Sequence, residues 1–129
     1  MRTPAARVAV VTGGGTGIGR ATALQLARDG YHVAICGRRP APLEAVREEI
    51  AIAGGVCLAQ PCDIREPDQV SSFIDRVLTE AERVDVLVNN AAIYPRRAWT
   101  EITEEEWDGV LAVNLKGYFL CARAAFEHL

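Results

Sequence analysis

An α/β fold built on a parallel, doubly wound sheet is predicted by two observations. Short apolar runs alternate with segments of helical periodicity along the whole chain, the pattern of parallel strands joined by crossover helices. The first apolar run also opens directly into a glycine-rich turn, Thr12-Gly13-Gly14-Gly15-Thr16-Gly17-Ile18-Gly19, followed by a helix-like stretch. At 129 residues the chain has the length of one compact domain, and no internal repeat, linker or low-complexity tract divides it.

The elements follow in order. The first strand spans about Arg7 to Thr12, and the first helix runs from Ile18, with Ala21, Leu24 and Ala27 on one face, to a stop at Gly30. Tyr31 to Cys36 is the second strand. A second helix follows Pro42, marked by Leu43, Val46 and Ile50, and ends at Gly54-Gly55. Val56 to Ala59 is a short third strand and Pro61-Cys62-Asp63 a loop. Pro67 suits the first turn of a third helix with Val70, Phe73, Ile74 and Val77 on its apolar face, and Val84 to Val88 is the fourth strand. Thr103-Glu104-Glu105-Glu106 fits a capping box. It launches a helix through Trp107, Val110, Leu111 and Leu115 that continues to the end, bent near Asn114 and Gly117.

Composition narrows the function classes. The net charge of -3 leaves no broad basic field for a phosphodiester backbone, so nucleic acid is not an expected partner. Cys36, Cys57, Cys62 and Cys121 contain no Cys-x-x-Cys pair and His32 and His128 lie far apart, so no metal site is expected and the thiols read as reduced. Arg2 precedes an apolar stretch too short for a signal peptide, and no apolar run approaches the ~18 residues of a membrane span. The expectation is a soluble, cytoplasmic protein with no membrane partner.

The glycine turn reads as a phosphate-binding loop. Glycines at 13, 17 and 19 remove side chains where the turn bends, where a ligand touches backbone and where the helix packs close to its strand. The helix start then aims unpaired N–H groups and a partial positive charge at an anion. A nucleotide-hydrolase loop needs Lys and then Ser or Thr after its last glycine, whereas Arg20 and Ala21 follow Gly19. A methyltransferase-like site for S-adenosylmethionine is the more serious rival, but it needs an acid at the end of the second strand, and no Asp or Glu occurs between Gly30 and Glu44. The strand ends instead in Gly37-Arg38-Arg39. About 20 residues beyond the glycines of a dinucleotide fold, a carboxylate accepts the ribose 2'-hydroxyl and repels a 2'-phosphate. Gly37 has no side chain there, Arg38 can pair a phosphate through its planar fork, and Arg39 adds field, so the expected cofactor is NADP(H).

These residues resemble the short-chain dehydrogenase/reductase family, whose loop Thr-Gly-x-x-x-Gly-x-Gly is matched by Thr12, Gly13, Gly17 and Gly19. The resemblance runs from about Arg7 onward. Asp63 matches the family's aspartate after strand three, which faces the adenine ring, and Asn89-Asn90-Ala91 matches its Asn-Asn-Ala-Gly motif, with Ala92 in place of the usual glycine. The resemblance implies a Rossmann-type sheet in the order 3-2-1-4. It implies cofactor contacts at Gly13, Gly15, Thr16, Gly17, Ile18, Gly19, Arg38, Arg39, Asp63, Asn90 and Ala91, with Asn89 tying strand four to its neighbours. Asn114 is similar to the family's helix asparagine, whose backbone carbonyl holds a water of the proton relay, and it is the candidate catalytic residue of this chain.

The family's reaction moves a hydride between nicotinamide and a carbonyl or alcohol carbon, with a Tyr as proton donor, a Lys four residues later and a Ser at the substrate oxygen. None of the three is matched here. The sole lysine, Lys116, follows Ala112 by four, and Ser71 and Ser72 fall in a crossover helix. The expectation is therefore the amino-terminal, cofactor-binding part of an oxidoreductase, with the later strands and the catalytic segment absent. The alternative is a non-catalytic NADP(H)-binding or subunit-association module. The last helix, with Trp107, Leu111, Leu115, Phe119 and Phe126, carries more apolar surface than a half-sheet covers, so a homo-oligomer through that helix is expected.

Overall fold

The computed structural model describes residues 5–129, so Arg2, which bears on the signal-peptide reading, lies outside the described residues. β1 (Val8–Thr12), β2 (His32–Gly37), β3 (Cys57–Pro61) and β4 (Val86–Val88) form one parallel sheet in the order β3-β2-β1-β4, as expected. Strand alternation sends side chains to opposite faces, and each face has its own core. Val33 and Ile35 pack with Leu43, Val46 and Ile50 under α1 (Gly17–Arg28) and α2 (Pro40–Ile52). Val8, Val10, Ala34 and Cys36 pack on the other face with α3 (Pro67–Ala81) and α5 (Tyr118–Ala125). Continuous burial of β1 is what a central parallel strand covered on both faces requires.

Three boundaries differ from the sequence reading, each for a local reason. The second helix starts at Pro40, before Pro42, because prolines are tolerated in a first turn whose N–H groups lack partners anyway. The third strand runs Cys57–Pro61 where the sequence suggested Val56 to Ala59. Pro61 sits opposite Gly37 on an edge strand, and Cys62 N–H continues the bonding to Gly37 O at 2.8 Å. The fourth strand covers Val86–Val88 where Val84 to Val88 was expected. The Asp85 N–H still donates to Val8 O at 2.8 Å, but the return bond goes to a side chain: Asp85 Oδ2 accepts the Val8 N–H at 2.8 Å, and Arg83 holds the same carboxylate at 2.8 and 2.7 Å.

The stop of α1 at Gly30 is as expected, with φ +91 at that residue. The stop of α3 comes without a glycine, since Glu82 takes φ +66 and donates its N–H to Leu78 O. The last helix is segmented. A short 3-10 turn at Trp99–Glu101 precedes α4 (Glu104–Leu111), and the bend expected near Asn114 and Gly117 is a π-helical turn over Ala112–Gly117 leading into α5. Gly117 lets that turn lie against Ile64, whose Cδ1 is 2.6 Å from where a β-carbon would stand. Half of the capping box forms. Thr103 Oγ1 accepts the Glu106 N–H at 3.1 Å, while the Glu106 carboxylate pairs with Arg97 at 3.2 Å.

A cleft at the carboxyl ends of the strands

The sheet ends at a cleft of ≈ 330 Å³ lined by the turn after β1, the residues after β2, the start of α2, the loop after β3 and the loop after β4. This is the side of a parallel sheet where strand order reverses and ligands bind in open α/β folds. Of the residues singled out by sequence, Gly13, Gly15, Thr16, Arg38, Arg39, Asp63 and Ala91 line it. Gly17, Ile18, Gly19, Asn90 and Asn114 do not.

The turn after β1 is built by its glycines. Gly13 has φ +64, and a β-carbon there would stand 2.9 Å from Ala91 Cα, so the bend needs both the conformation and the space. A β-carbon on Gly19 would come within 2.0 Å of Gly13 O, so the first turn of α1 rests directly on the loop it follows. Gly17 is different: its φ is +54 and nothing stands within 4 Å of the β-carbon position. Thr16 caps α1 in extended conformation without a side-chain capping bond, and no acidic residue lies in the first turn. The N–H groups at this helix start have no intrahelical partners. Ile18, on the outer side, is 78% exposed.

Asn90 and Thr12 fasten the turn to β4. The Thr12 hydroxyl accepts the N–H of both Asn90 and Ala91, each at 3.0 Å, and Asn90 Nδ2 donates to Thr12 O and Gly13 O at 3.1 and 3.3 Å. The Asn90 side-chain nitrogen is thus spent inside the protein, while Ala91 and Ala92 line the cleft. Asn89 reaches Tyr118 O at 3.4 Å through Nδ2, and its buried Oδ1 has no partner. Asn114 clamps the loop after β4 at two points, with Oδ1 accepting from Ile93 N at 2.9 Å and Nδ2 donating to Ile93 O at 2.8 Å.

Charge in the cleft is uneven. Arg38 and Arg39 form no ion pair among the described residues, whereas Arg20 is committed to Glu49 at 2.6 Å and Arg65 to Asp63 at 2.7 Å. The Arg65 guanidinium beside Asp63 holds that carboxyl below its ordinary value. All four cysteines are free. The neighbouring Cys62 thiol and burial together push the Cys36 thiol well above its ordinary value. No group of His, Cys, Asp and Glu among the described residues could hold a metal ion.

Sequence reading missed the apolar part of the lining. Cys62, Ile64, Ile93 and Val113 line the cleft alongside the polar residues. Their signal was present only as adjacency to recognised landmarks, since Cys62 and Ile64 flank Asp63 and Val113 precedes Asn114. The buttressing role of Thr12 was also missed, though a hydroxyl ending a run of valines and alanines is its trace in the sequence.

Comparison with known proteins extends this picture. A family model described as short chain dehydrogenase matches residues 7–129. The chain is 42% identical over 119 residues to the 3-oxoacyl-(acyl-carrier-protein) reductase FabG of Staphylococcus aureus, covering 91% of this chain and 48% of that protein. A reductase of the same description from Synechocystis is 39% identical over 120 residues, covering 92% of this chain and 49% of that protein. Among solved structures, a metagenomic short-chain oxidoreductase in complex with NADP superposes with TM-score 0.89 at 38% identity, covering 96% of this chain and 57% of the other. An alcohol dehydrogenase from the archaeon Thermococcus sibiricus complexed with 5-hydroxy-NADP gives TM-score 0.91 at 35% identity, covering 95% and 53%. The chain spans about half the length of the curated relatives it matches.

Proposed function

The chain belongs to the short-chain dehydrogenase family, and from that premise we propose that it is the NADP(H)-binding portion of an oxidoreductase that moves a hydride between nicotinamide and a small carbonyl or alcohol substrate. The observation that carries the choice of cofactor is the pair Arg38 and Arg39, free of ion pairs and lining the cleft directly after side-chain-free Gly37.

The residues fit such a group. The open backbone at Gly17, the uncommitted Thr16 hydroxyl and the start of α1 suit a diphosphate, and the absence of acid in that first turn leaves their field intact. Arg38 and Arg39 suit a ribose 2'-phosphate, and Asp63 suits the exocyclic amino group of adenine. When bound, the cofactor supplies the hydride chemistry. Ala91, Ala92 and Ile93 give the cleft an apolar wall. The Asn114 side chain is committed to Ile93, so its part in a proton relay falls to its backbone carbonyl. The sequence holds no Tyr-x-x-x-Lys pair, so these residues account for binding and orientation, while proton delivery to a substrate oxygen is left to other groups.

Titration calorimetry of the 129-residue chain with NADPH, NADH and S-adenosylmethionine tests the reading. The expected result is binding of NADPH at least about tenfold tighter than NADH, from one charge-assisted contact, and no binding of S-adenosylmethionine. Equal affinity for the two dinucleotides would remove the role given to Arg38.

Association through the last helix is part of the same proposal. Trp107, Leu115 and Phe119 are 62%, 67% and 56% exposed, and Leu111, Leu115 and Phe119 line one shallow groove. An apolar face of this extent on neighbouring turns suits a second copy of the same face. Sedimentation is expected to show a dimer that Leu115→Asp converts to monomer; a monomeric parent chain at high concentration would count against it. No helix among the described residues is long and apolar enough to cross a membrane.

A further inference from the structure

Asp63 is the one carboxylate among the residues lining the cleft, and it is not free. Arg65 Nε lies 3.0 Å from Oδ1 and 3.2 Å from Oδ2, Arg65 Nη2 lies 2.7 Å from Oδ2, and the Arg65 backbone N–H donates to Oδ1 at 3.0 Å. The Asp63 backbone N–H is held in turn by Gln69 Oε1 at 2.8 Å. A carboxylate has about four acceptor positions. Three N–H groups occupy them, the Arg65 backbone N–H on Oδ1, Nη2 on Oδ2 and Nε shared between the two oxygens, which leaves one position for a further donor.

We propose that Arg65 is a positioning residue whose guanidinium fixes the Asp63 carboxylate so that a single acceptor position is offered to the cleft, selecting a purine with an exocyclic amino group over a 6-oxo purine. This rests on the cofactor reading given above. An amino group at purine position six donates to a carboxylate, whereas a carbonyl oxygen there meets it with repulsion and leaves both acceptors unpaired. Holding the carboxylate by a planar two-nitrogen fork removes its rotation about the side-chain bonds, which a single ammonium cannot do. Arg65 also keeps the carboxyl below its ordinary value, with Arg38 acting in the same direction, so the acceptor is ionised throughout the neutral range. The neighbouring residues Cys62 and Ile64 are buried and line the same cleft as Asp63.

The test uses the 129-residue chain with NADPH and its hypoxanthine counterpart, which carries a 6-oxo group in place of the amino group. The unsubstituted chain is expected to bind NADPH about tenfold tighter than the hypoxanthine form, the effect of one hydrogen bond to a charged acceptor. In Arg65→Gln and in the milder Arg65→Lys, NADPH binding is expected to weaken about tenfold while the hypoxanthine form binds as before, so the preference disappears. A general loosening of the fold would weaken both ligands alike, and that outcome overturns the proposal. A preference near unity in the unsubstituted chain overturns it without any variant. Failure of the unsubstituted chain to bind either dinucleotide removes the cofactor reading itself and this inference with it. Binding of NADPH with no loss on substitution removes this inference alone.

Discussion

Gly19→Ala is expected to lower the stability of the chain by about 3 kcal/mol, because the added carbon has nowhere to go. Its position lies 2.0 Å from Gly13 O and 2.4 Å from Asn90 Nδ2, and the nearer neighbour is backbone that cannot swing aside. Relief requires α1 to lift from the turn, which breaks the bonds of Asn90 Nδ2 to Thr12 O and Gly13 O. Thermal unfolding by circular dichroism is expected to shift down by about 10 °C, and NADPH binding to be lost in calorimetry. A matched Gly17→Ala variant separates crowding from backbone conformation, since Gly17 has open space and its penalty comes from φ +54 alone. That variant is expected to lose about 1 kcal/mol. An unchanged melting temperature in Gly19→Ala would show that the turn is not packed as described.

The double substitution Gly37→Asp with Arg38→Ile is expected to reverse the dinucleotide preference. A β-carbon at Gly37 meets only Leu43 Cδ2 at 3.5 Å and Leu43 Cγ at 3.9 Å, which is ordinary contact, so an aspartate is accommodated without moving the strand. The new carboxylate accepts a ribose 2'-hydroxyl and repels a 2'-phosphate, while loss of Arg38 removes a charge-assisted partner. Each change is worth roughly tenfold, so the ratio of NADPH to NADH affinity is expected to swing by about a hundredfold. Fluorescence titration with both ligands measures it directly. Unchanged selectivity would place the adenosine ribose elsewhere.

The element sequence was legible because alternating apolar runs and helical periods are strong signals in a parallel fold, and because Gly30 and Pro67 mark ends chemically, whereas the sheet order came from the family resemblance carried by the glycine turn, Asp63 and Asn89-Asn90-Ala91. What was not legible was settled by single side chains acting on backbone. Asp85 shortened β4 by accepting the Val8 N–H, which periodicity cannot show, since an aspartate inside an apolar run reads only as an interruption. Gly37 accepting from Cys62 carried the bonding past Pro61, although proline ordinarily signals a break. For the cleft, residues with chemistry of their own were found from sequence: glycines, Arg38, Arg39 and Asp63. The apolar contributors Ile64, Ile93 and Val113 carry no such mark, and only the fold brings them to one place. Asn90 shows the converse. It was named for its type and motif, and its side chain turns away from the cleft to fasten the loop.

The reciprocal fastening between Thr12 and Asn90 engages the Thr12 hydroxyl as donor and acceptor and both N–H groups of the Asn90 side-chain nitrogen. Two N–H groups reach one hydroxyl, that hydroxyl reaches toward Val88 O at 3.5 Å, and both protons of the amide nitrogen are placed on carbonyls of the turn. The turn therefore holds its shape before any ligand arrives, and the entropy of ordering a flexible loop is not charged against affinity at the moment of encounter. Association governed by such a loop is expected to be a single-step event in stopped-flow titration, its rate rising linearly with ligand concentration without the plateau that a slow loop rearrangement would impose.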